Sequence, residues 1–142
     1  MTEPAMDARP TALAVDDKPE NLRLLGELLR GEFRVKVAVN GERAIEIARS
    51  DDPPDVILLD VSMPGMDGYE TCRRLKADPS AGDIPVIFVS AGGGPEDETR
   101  GLECGAADFV AKPFNPLVVL ARTRTHAELR RCRDALAGKR PR

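Results

Sequence analysis

The segment Asp55-Val56-Ile57-Leu58-Leu59-Asp60 constrains this chain more than any other. Four apolar residues, led by two β-branched ones, read as a strand of a parallel sheet that is buried on both faces. Such a strand delivers Asp60 at its C-terminal end, where open α/β sheets place their sites. Two further runs end in the same way. Thr11-Ala12-Leu13-Ala14-Val15 leads into Asp16-Asp17, and Asp108-Phe109-Val110-Ala111 leads into Lys112-Pro113. Three acids and a lysine at one edge of one sheet point to a site for a cation and a phosphate.

Helical signals lie between the strands. Pro19 suits the first turn of a helix, with Asp17 as its expected cap and Gly31 as its stop signal. Leu22, Leu25, Leu28 and Leu29 form the apolar stripe of that helix. Phe33 to Ala38 alternates apolar with other residues, which predicts an edge strand. Asn40 reads as the cap of a second helix bearing Ala44, Ile45, Ile47 and Ala48. After Asp60 comes a loop rich in breakers, Val61 to Gly68, and then a helix with Tyr69, Cys72 and Leu75 on one face. Pro85 to Ser90 is the fourth strand. Gly92-Gly93-Gly94 is expected to be a mobile loop, and Pro95 with Glu96, Asp97 and Glu98 opens a fourth helix. The fifth strand ends at Lys112, and the last helix is expected from Asn115 to Leu136. The alternation βαβαβαβαβα predicts an α/β fold, a doubly wound five-stranded parallel sheet flanked by five helices. Residues 1–10 are expected to be disordered, 11–124 to form one domain, and 125–142 to be a basic helical extension and tail.

Composition closes off other classes. No apolar run approaches the ~18 residues of a membrane helix, and the polar start offers no signal peptide. A cytoplasmic protein is expected. Cys72, Cys104 and Cys132 make no CxxC pair, which argues for reduced, partly buried thiols over a disulfide frame or a zinc site. The net charge of −3 conceals an asymmetry: from Arg122 onward there are eight basic and two acidic residues, and before it 13 and 22. The basic end reads as a solvated helix face with a frayed tail, and direct nucleic-acid binding is not expected. His126, the only histidine, is expected at the surface.

Gathered carboxylates repel. At 4 Å a pair costs about 1 kcal/mol in water and about 4 kcal/mol at an effective dielectric of 20. A hard divalent ion relieves this, and Mg²⁺ binds through one or two carboxylates, waters and phosphate oxygens. Asp17 and Asp60 as direct ligands, a loop carbonyl after Asp60, and Asp16 through water would suit it. A carboxylate is also a competent nucleophile toward phosphorus, so Asp60 can accept a phosphoryl group whose oxygens Lys112 and Ser90 hold.

These residues carry a resemblance. The acidic pair Asp16-Asp17, the segment from Asp60 to Gly68, the pair Ser90-Ala91, and Lys112-Pro113-Phe114 occur in order, each at a strand end. Over residues 11–124 the chain resembles the receiver domain of two-component response regulators, of the CheY-like type. The resemblance implies strand order 2-1-3-4-5, with Asp60 as phosphoacceptor. Asp16, Asp17, Asp60 and the Ser62 carbonyl would hold Mg²⁺, with Mn²⁺ as an alternative. Ser90 and Phe109 would be the switch residues, Lys112 the phosphoryl ligand, and the peptide before Pro113 cis. A sensor histidine kinase or a phosphotransfer protein would be the donor. The face built from the fourth helix, fifth strand and fifth helix would change on phosphorylation and act on a partner or a second copy. No turnover is expected beyond the chain's own phosphorylation and dephosphorylation.

Competing readings have specific defects. A haloacid-dehalogenase-like phosphatase needs a second aspartate where Ser62 stands. A nucleotide or flavin module lacks its glycine fingerprint, since Gly92-Gly93-Gly94 follows no phosphate-binding spacing. A receiver used only for binding would not need every reactive residue. The end of the chain is more open. Thr125, Leu129, Cys132 and Leu136 form a heptad-like seam with Arg124, Arg130, Arg131 and Arg133 around it. This could pair two chains, dock a partner or lead into an output domain, and the stretch from Asn115-Pro116-Leu117 through Arg122-Thr123-Arg124-Thr125-His126 resembles receivers tethered to cyclic-dinucleotide signalling domains.

Overall fold

The computed structural model describes residues 8–91 and 95–138. Five strands, β1 (Thr11–Val15), β2 (Arg34–Ala38), β3 (Val56–Leu59), β4 (Val86–Ser90) and β5 (Asp108–Ala111), alternate with five helices. The helices are α1 (Pro19–Leu29), α2 (Gly41–Ala48), α3 (Gly68–Ala77), α4 (Pro95–Glu103) and α5 (Pro116–Leu136). All strands are parallel and the order is β2-β1-β3-β4-β5, as the resemblance implied.

Alternate side chains of each central strand enter different halves of the core. Leu13, Val15, Ile57, Leu59 and Phe88 pack with Ala44, Ile47, Cys72, Leu75 and Cys104 of α2, α3 and the end of α4. Ala12, Ala14, Val56, Leu58, Ile87 and Val89 pack with Leu22, Leu25 and Leu29 of α1 and with Val119 and Ala127 of α5. Apolar residues on both faces are what a doubly covered parallel sheet demands. Burial pushes the Cys72 thiol up to about 11, so this group is a core side chain. Cys132 is exposed, and all three cysteines are free.

Several local signals hold. Asn40 Oδ1 accepts from Arg43 N at 2.8 Å and caps its helix as expected, while Asn115, expected as the first residue of the last helix, is instead its cap, accepting from Leu117 N at 2.9 Å. Others fail. Asp17 does not cap α1: the N-cap is Lys18, whose side chain makes no capping bond, and Asp16 Oδ1 accepts from Lys18 N. Gly31 is not a left-handed stop, because positive φ occurs only at Gly65, Gly105 and Gly138 among the described residues. Instead α1 ends as Phe33 N bonds back to Leu29 O at 2.9 Å and the chain turns into β2.

The basic end is a solvated face only in part: Arg122, Arg124 and Arg133 are exposed, but Arg130 is not. Arg122 pairs with Asp108 at 2.6 Å and Arg124 with Glu32 at 2.8 Å. Arg130 is buried, and its Nη1 donates to Pro54 O and Asp55 Oδ1. Half-buried His126 places Nε2 3.1 Å from Asp108 Oδ2. Of the N-terminus expected to be disordered, residues 1–7 lie outside the described residues; Arg9 donates to Arg30 O, and Pro10 O accepts from Arg34 N. Gly92-Gly93-Gly94 also lies outside them. Among the described residues no helix is long and apolar enough to cross a membrane.

Candidate functional site

Backbone bonds between neighbouring strands set the site. Asp16 N donates to Ala38 O at 3.2 Å, Asp60 N to Val15 O at 2.9 Å, and Lys112 N to Ser90 O at 2.7 Å. Each residue stands one step beyond the C-terminal end of β1, β3 or β5. The strand order therefore brings together side chains that are up to 96 positions apart in sequence. Ser90, the last residue of β4, is buried beside them.

Carboxylate oxygens of Asp16, Asp17 and Asp60 lie within 4.8 Å of one another. Lys112 Nζ stands 3.1 Å from Asp16 Oδ2 and 3.5 Å from Asp60 Oδ1. Asp16 also accepts from Asn21 Nδ2 at 3.1 Å. One ammonium thus serves two carboxylates, with the third, Asp17, close beside them. Burial first, then the Asp16 charge, pushes the Asp60 carboxyl above the usual carboxylate range, while Lys112 opposes the shift. Buried Asp17 Oδ1 has no hydrogen-bond partner; Lys18 Nζ stands a loose 3.9 Å away. An all-oxygen donor set with excess negative charge and an orphaned, buried carboxylate oxygen fits a hard divalent cation.

The other sequence-predicted residues lie on β5 and on the loops that follow β3 and β5. Ser62 is exposed in the loop two positions after Asp60. The Lys112–Pro113 peptide is cis. Phe109 is half-buried, and its ring centroid lies 6.2 Å from that of Phe88, which in turn lies 5.3 Å from that of Tyr69. Arg100 of α4 lies 4.2 Å from the Tyr69 ring centroid, over its face. An aromatic row therefore joins α3 to β5 beneath α4.

Two glycines matter that sequence reading passed over as site residues. A Cβ on Gly68 would strike the Asp60 carbonyl and Val61. Glycine here lets α3 start directly behind the site, with Asp67 Oδ1 capping it through Glu70 N at 2.9 Å. A Cβ on Gly101 would lie 2.8 Å from the Phe88 ring and 3.3 Å from the Phe109 ring. Gly101 thus lets α4 sit down on the aromatic row. Gly68 lies in the breaker-rich loop and Gly101 inside a helix, and in both cases the groups that exclude a side chain are not sequence neighbours.

Comparison with known proteins agrees with this geometry. The family model described as "Response regulator receiver domain" matches residues 12–124. The chain is 46% identical over 114 residues to the response regulator PleD of Caulobacter vibrioides, covering 80% of this chain and 25% of PleD. It is 40% identical over 126 residues to a Vibrio cholerae protein named for cyclic di-GMP phosphodiesterase activity, covering 89% of this chain and 28% of that one. The chain thus spans about a quarter of the length of these relatives. The structure of the BeF3-activated receiver domain of DrrB from Thermotoga maritima superposes with a TM-score of 0.75 at 33% identity, covering 84% of this chain and 98% of that one. Chemotaxis protein CheY4 of Vibrio cholerae superposes with a TM-score of 0.74 at 30% identity, covering 82% and 99%.

Proposed function

The chain belongs to the response-regulator receiver domain family, and from that premise we propose that it is a phosphorylation-controlled switch with Asp60 as phosphoacceptor. The observation that carries this reading is the shared ammonium: Lys112 Nζ lies within 3.5 Å of oxygens of both Asp60 and Asp16, with Asp17 completing the cluster. Asp16, Asp17, Asp60 and the Ser62 carbonyl are the residues that would hold Mg²⁺, or Mn²⁺ in its place. Bound there, the ion supplies positive charge to the cluster and to phosphoryl oxygens.

The chain's own residues do the rest. Asp60 is held at a strand end by its backbone bond to Val15, so its carboxylate is placed without a mobile linker. One carboxylate oxygen attacks phosphorus and forms the O–P bond of an acyl phosphate. The bond from phosphorus to the donor breaks, and the donor, an imidazole nitrogen of a kinase or phosphotransfer protein, leaves with the electron pair. Lys112 pairs with a phosphoryl oxygen as charge builds there. Ser90 donates its hydroxyl to another, and Phe109 adjusts along the aromatic row under Gly101. The face made of α4, β5 and α5 then changes, which is the signal read by a partner.

The test is labelling by acetyl phosphate with Mg²⁺, read as a mass increase or as radiolabel. One phosphoryl group per chain is expected, lost in Asp60→Asn and on chelation of the metal. Undiminished labelling of Asp60→Asn would sink the assignment.

A further inference from the structure

The β2 edge of the sheet plays no part in the site. Arg34 N donates to Pro10 O and Ala38 O accepts from Asp16 N, so the even-numbered residues of β2 bond toward β1. In a parallel ladder the residues between them turn N–H and C=O to the opposite side. Val35 and Val37 therefore present their backbone groups along the outer edge. The Val37 residue is 50% exposed, and Val39 just beyond it 52%. Edge strands are commonly blunted by proline or by charge. Here no proline interrupts β2, and its two cations, Arg34 and Lys36, are drawn aside to Asp52 at 3.1 and 3.2 Å.

A groove of about 490 Å³ runs beside this edge, between β2 and α1. Its floor is Leu22, Val35 and Val37. Four arginines, Arg9, Arg23, Arg30 and Arg34, line it, and no acid does. Arg23 and Arg30 are exposed and two helical turns apart, so they share one face of α1 and its cap. Gly26 lies between them and answers no packing demand: a Cβ there would meet only Arg30 Nη2, at an ordinary 3.7 Å, and its φ is not positive. A glycine inside a helix costs about 1 kcal/mol relative to alanine. What it does here is let the Arg30 guanidinium lie low across the helix at the groove. On the other side of the same edge is a groove of about 370 Å³, reaching Lys36, Val37 and Ile47. It is closer to neutral, because Arg43 on its wall pairs with Glu46 at 3.1 Å.

We propose that this edge docks an extended acidic segment of a partner protein, which joins the sheet as an added strand beside β2. Backbone bonds to Val35 and Val37 hold the segment, and its alternate side chains enter the two grooves. Acidic residues facing α1 meet Arg23 and Arg30; the apolar residues between them enter the groove of Val37 and Ile47. A small anion would occupy one groove and leave the edge and the other groove unused. A second copy would bring two arginine-lined grooves together, which like charge opposes.

The experiment uses the full, unphosphorylated chain, so its outcome is independent of whether Asp60 is the phosphoacceptor. The probe is a short, capped, fluorescent peptide of alternating Glu and Val. Binding by anisotropy is expected to weaken as salt rises. Amide resonances of Val35 and Val37 should move in proportion, while that of Asp60 stays in place. Arg23→Glu with Arg30→Glu should lower affinity at least about tenfold. Gly26→Leu, which fills the groove without changing its charge, should lower it severalfold. Circular dichroism checks that both variants keep the fold. A peptide with Lys in place of Glu should not bind, and N-methylation at alternate residues on the β2-facing side should abolish binding. No binding overturns the proposal, as does equal binding by the N-methylated peptide, which would be charge attraction without strand pairing. Full displacement by inorganic pyrophosphate at constant ionic strength, or shifts of Val35 and Val37 on diluting the chain alone, also overturn it, in favour of a small anion or a second copy.

Discussion

β3 has a buried aspartate just before it and another just after, and the molecule treats the two in opposite ways. Asp55 accepts from the backbone of Thr11 at 2.8 Å and pairs with both Arg130 and Arg131. Asp60 shares a single ammonium with Asp16 and has Asp17 as a further anionic neighbour. The first carboxylate is fully compensated from within the chain. The second is short of positive charge, which burial makes costly. A balanced buried ion pair holds elements together, here α5 against the base of the sheet. An unbalanced one needs a charge from outside, and that need is what a switch can exploit.

The sharpest way to break this contrast is to neutralise each aspartate in turn. Asp60→Asn should drop phosphoryl labelling to background, whereas Asp55→Asn should leave labelling per folded molecule unchanged. Equal losses in both would show that fold, and not chemistry, governs the signal. Next in size is the anchor. Arg130→Met removes a buried cation and leaves Asp55 with only the partly exposed Arg131, and should cost about 3 kcal/mol in urea unfolding. A cost below about 0.5 kcal/mol would mean that the base of the sheet is not held as described.

Metal addition sharpens the other end. Mg²⁺ at about a hundred times its dissociation constant should stabilise the wild type by about 2.7 kcal/mol. The thermal shift should shrink in Asp17→Asn and persist in Asp55→Asn; a shift equal in all three would place the ion elsewhere. The smallest effect concerns pH. The Asp60 carboxyl is raised by burial and by Asp16, so in metal-free buffer the unfolded chain ionises first as pH rises. Stability from this group is complete below the ordinary carboxylate range and is lost as pH climbs through the raised folded value. Asp60→Asn should therefore stabilise the metal-free protein near pH 7, seen as a rise in Tm. This gain should fade as pH falls below the ordinary carboxylate value. Calorimetry at several pH values checks it, and a gain that grows in acid would reverse the assigned sign.

Much of this arrangement is legible in the sequence, and the reason is locality. Apolar runs of three or four residues leading into Asp16, Asp60 and Lys112 are strand signals read within a few positions, and strand ends in such a sheet are site positions. Asn40 and Asn115 cap helices through bonds to residues two or three along. Where prediction failed, the deciding partner was remote. Asp17 looked like a cap, but its neighbour Asp16 takes the Lys18 amide while Asp17 belongs to the acidic cluster. Arg130 looked like one more surface cation, yet Asp55, 75 residues earlier, claims it. His126 likewise finds Asp108 on β5. The residues next to Gly68 and Gly101 do not tell what forbids a side chain there, which is Asp60 with Val61 in one case and two aromatic rings in the other.

By itself, then, the order of residues determined five strands, five helices, a sheet covered on both faces and an acidic C-terminal edge with one lysine. These follow from short-range periodicity and from where breakers and caps fall. Tertiary structure alone decided which charges are compensated and which are not, because a net local charge depends on groups that only folding makes neighbours. It likewise decided that α5 is anchored through Arg130 and keeps its leucine seam outward, since the face a helix buries is set by what it docks against.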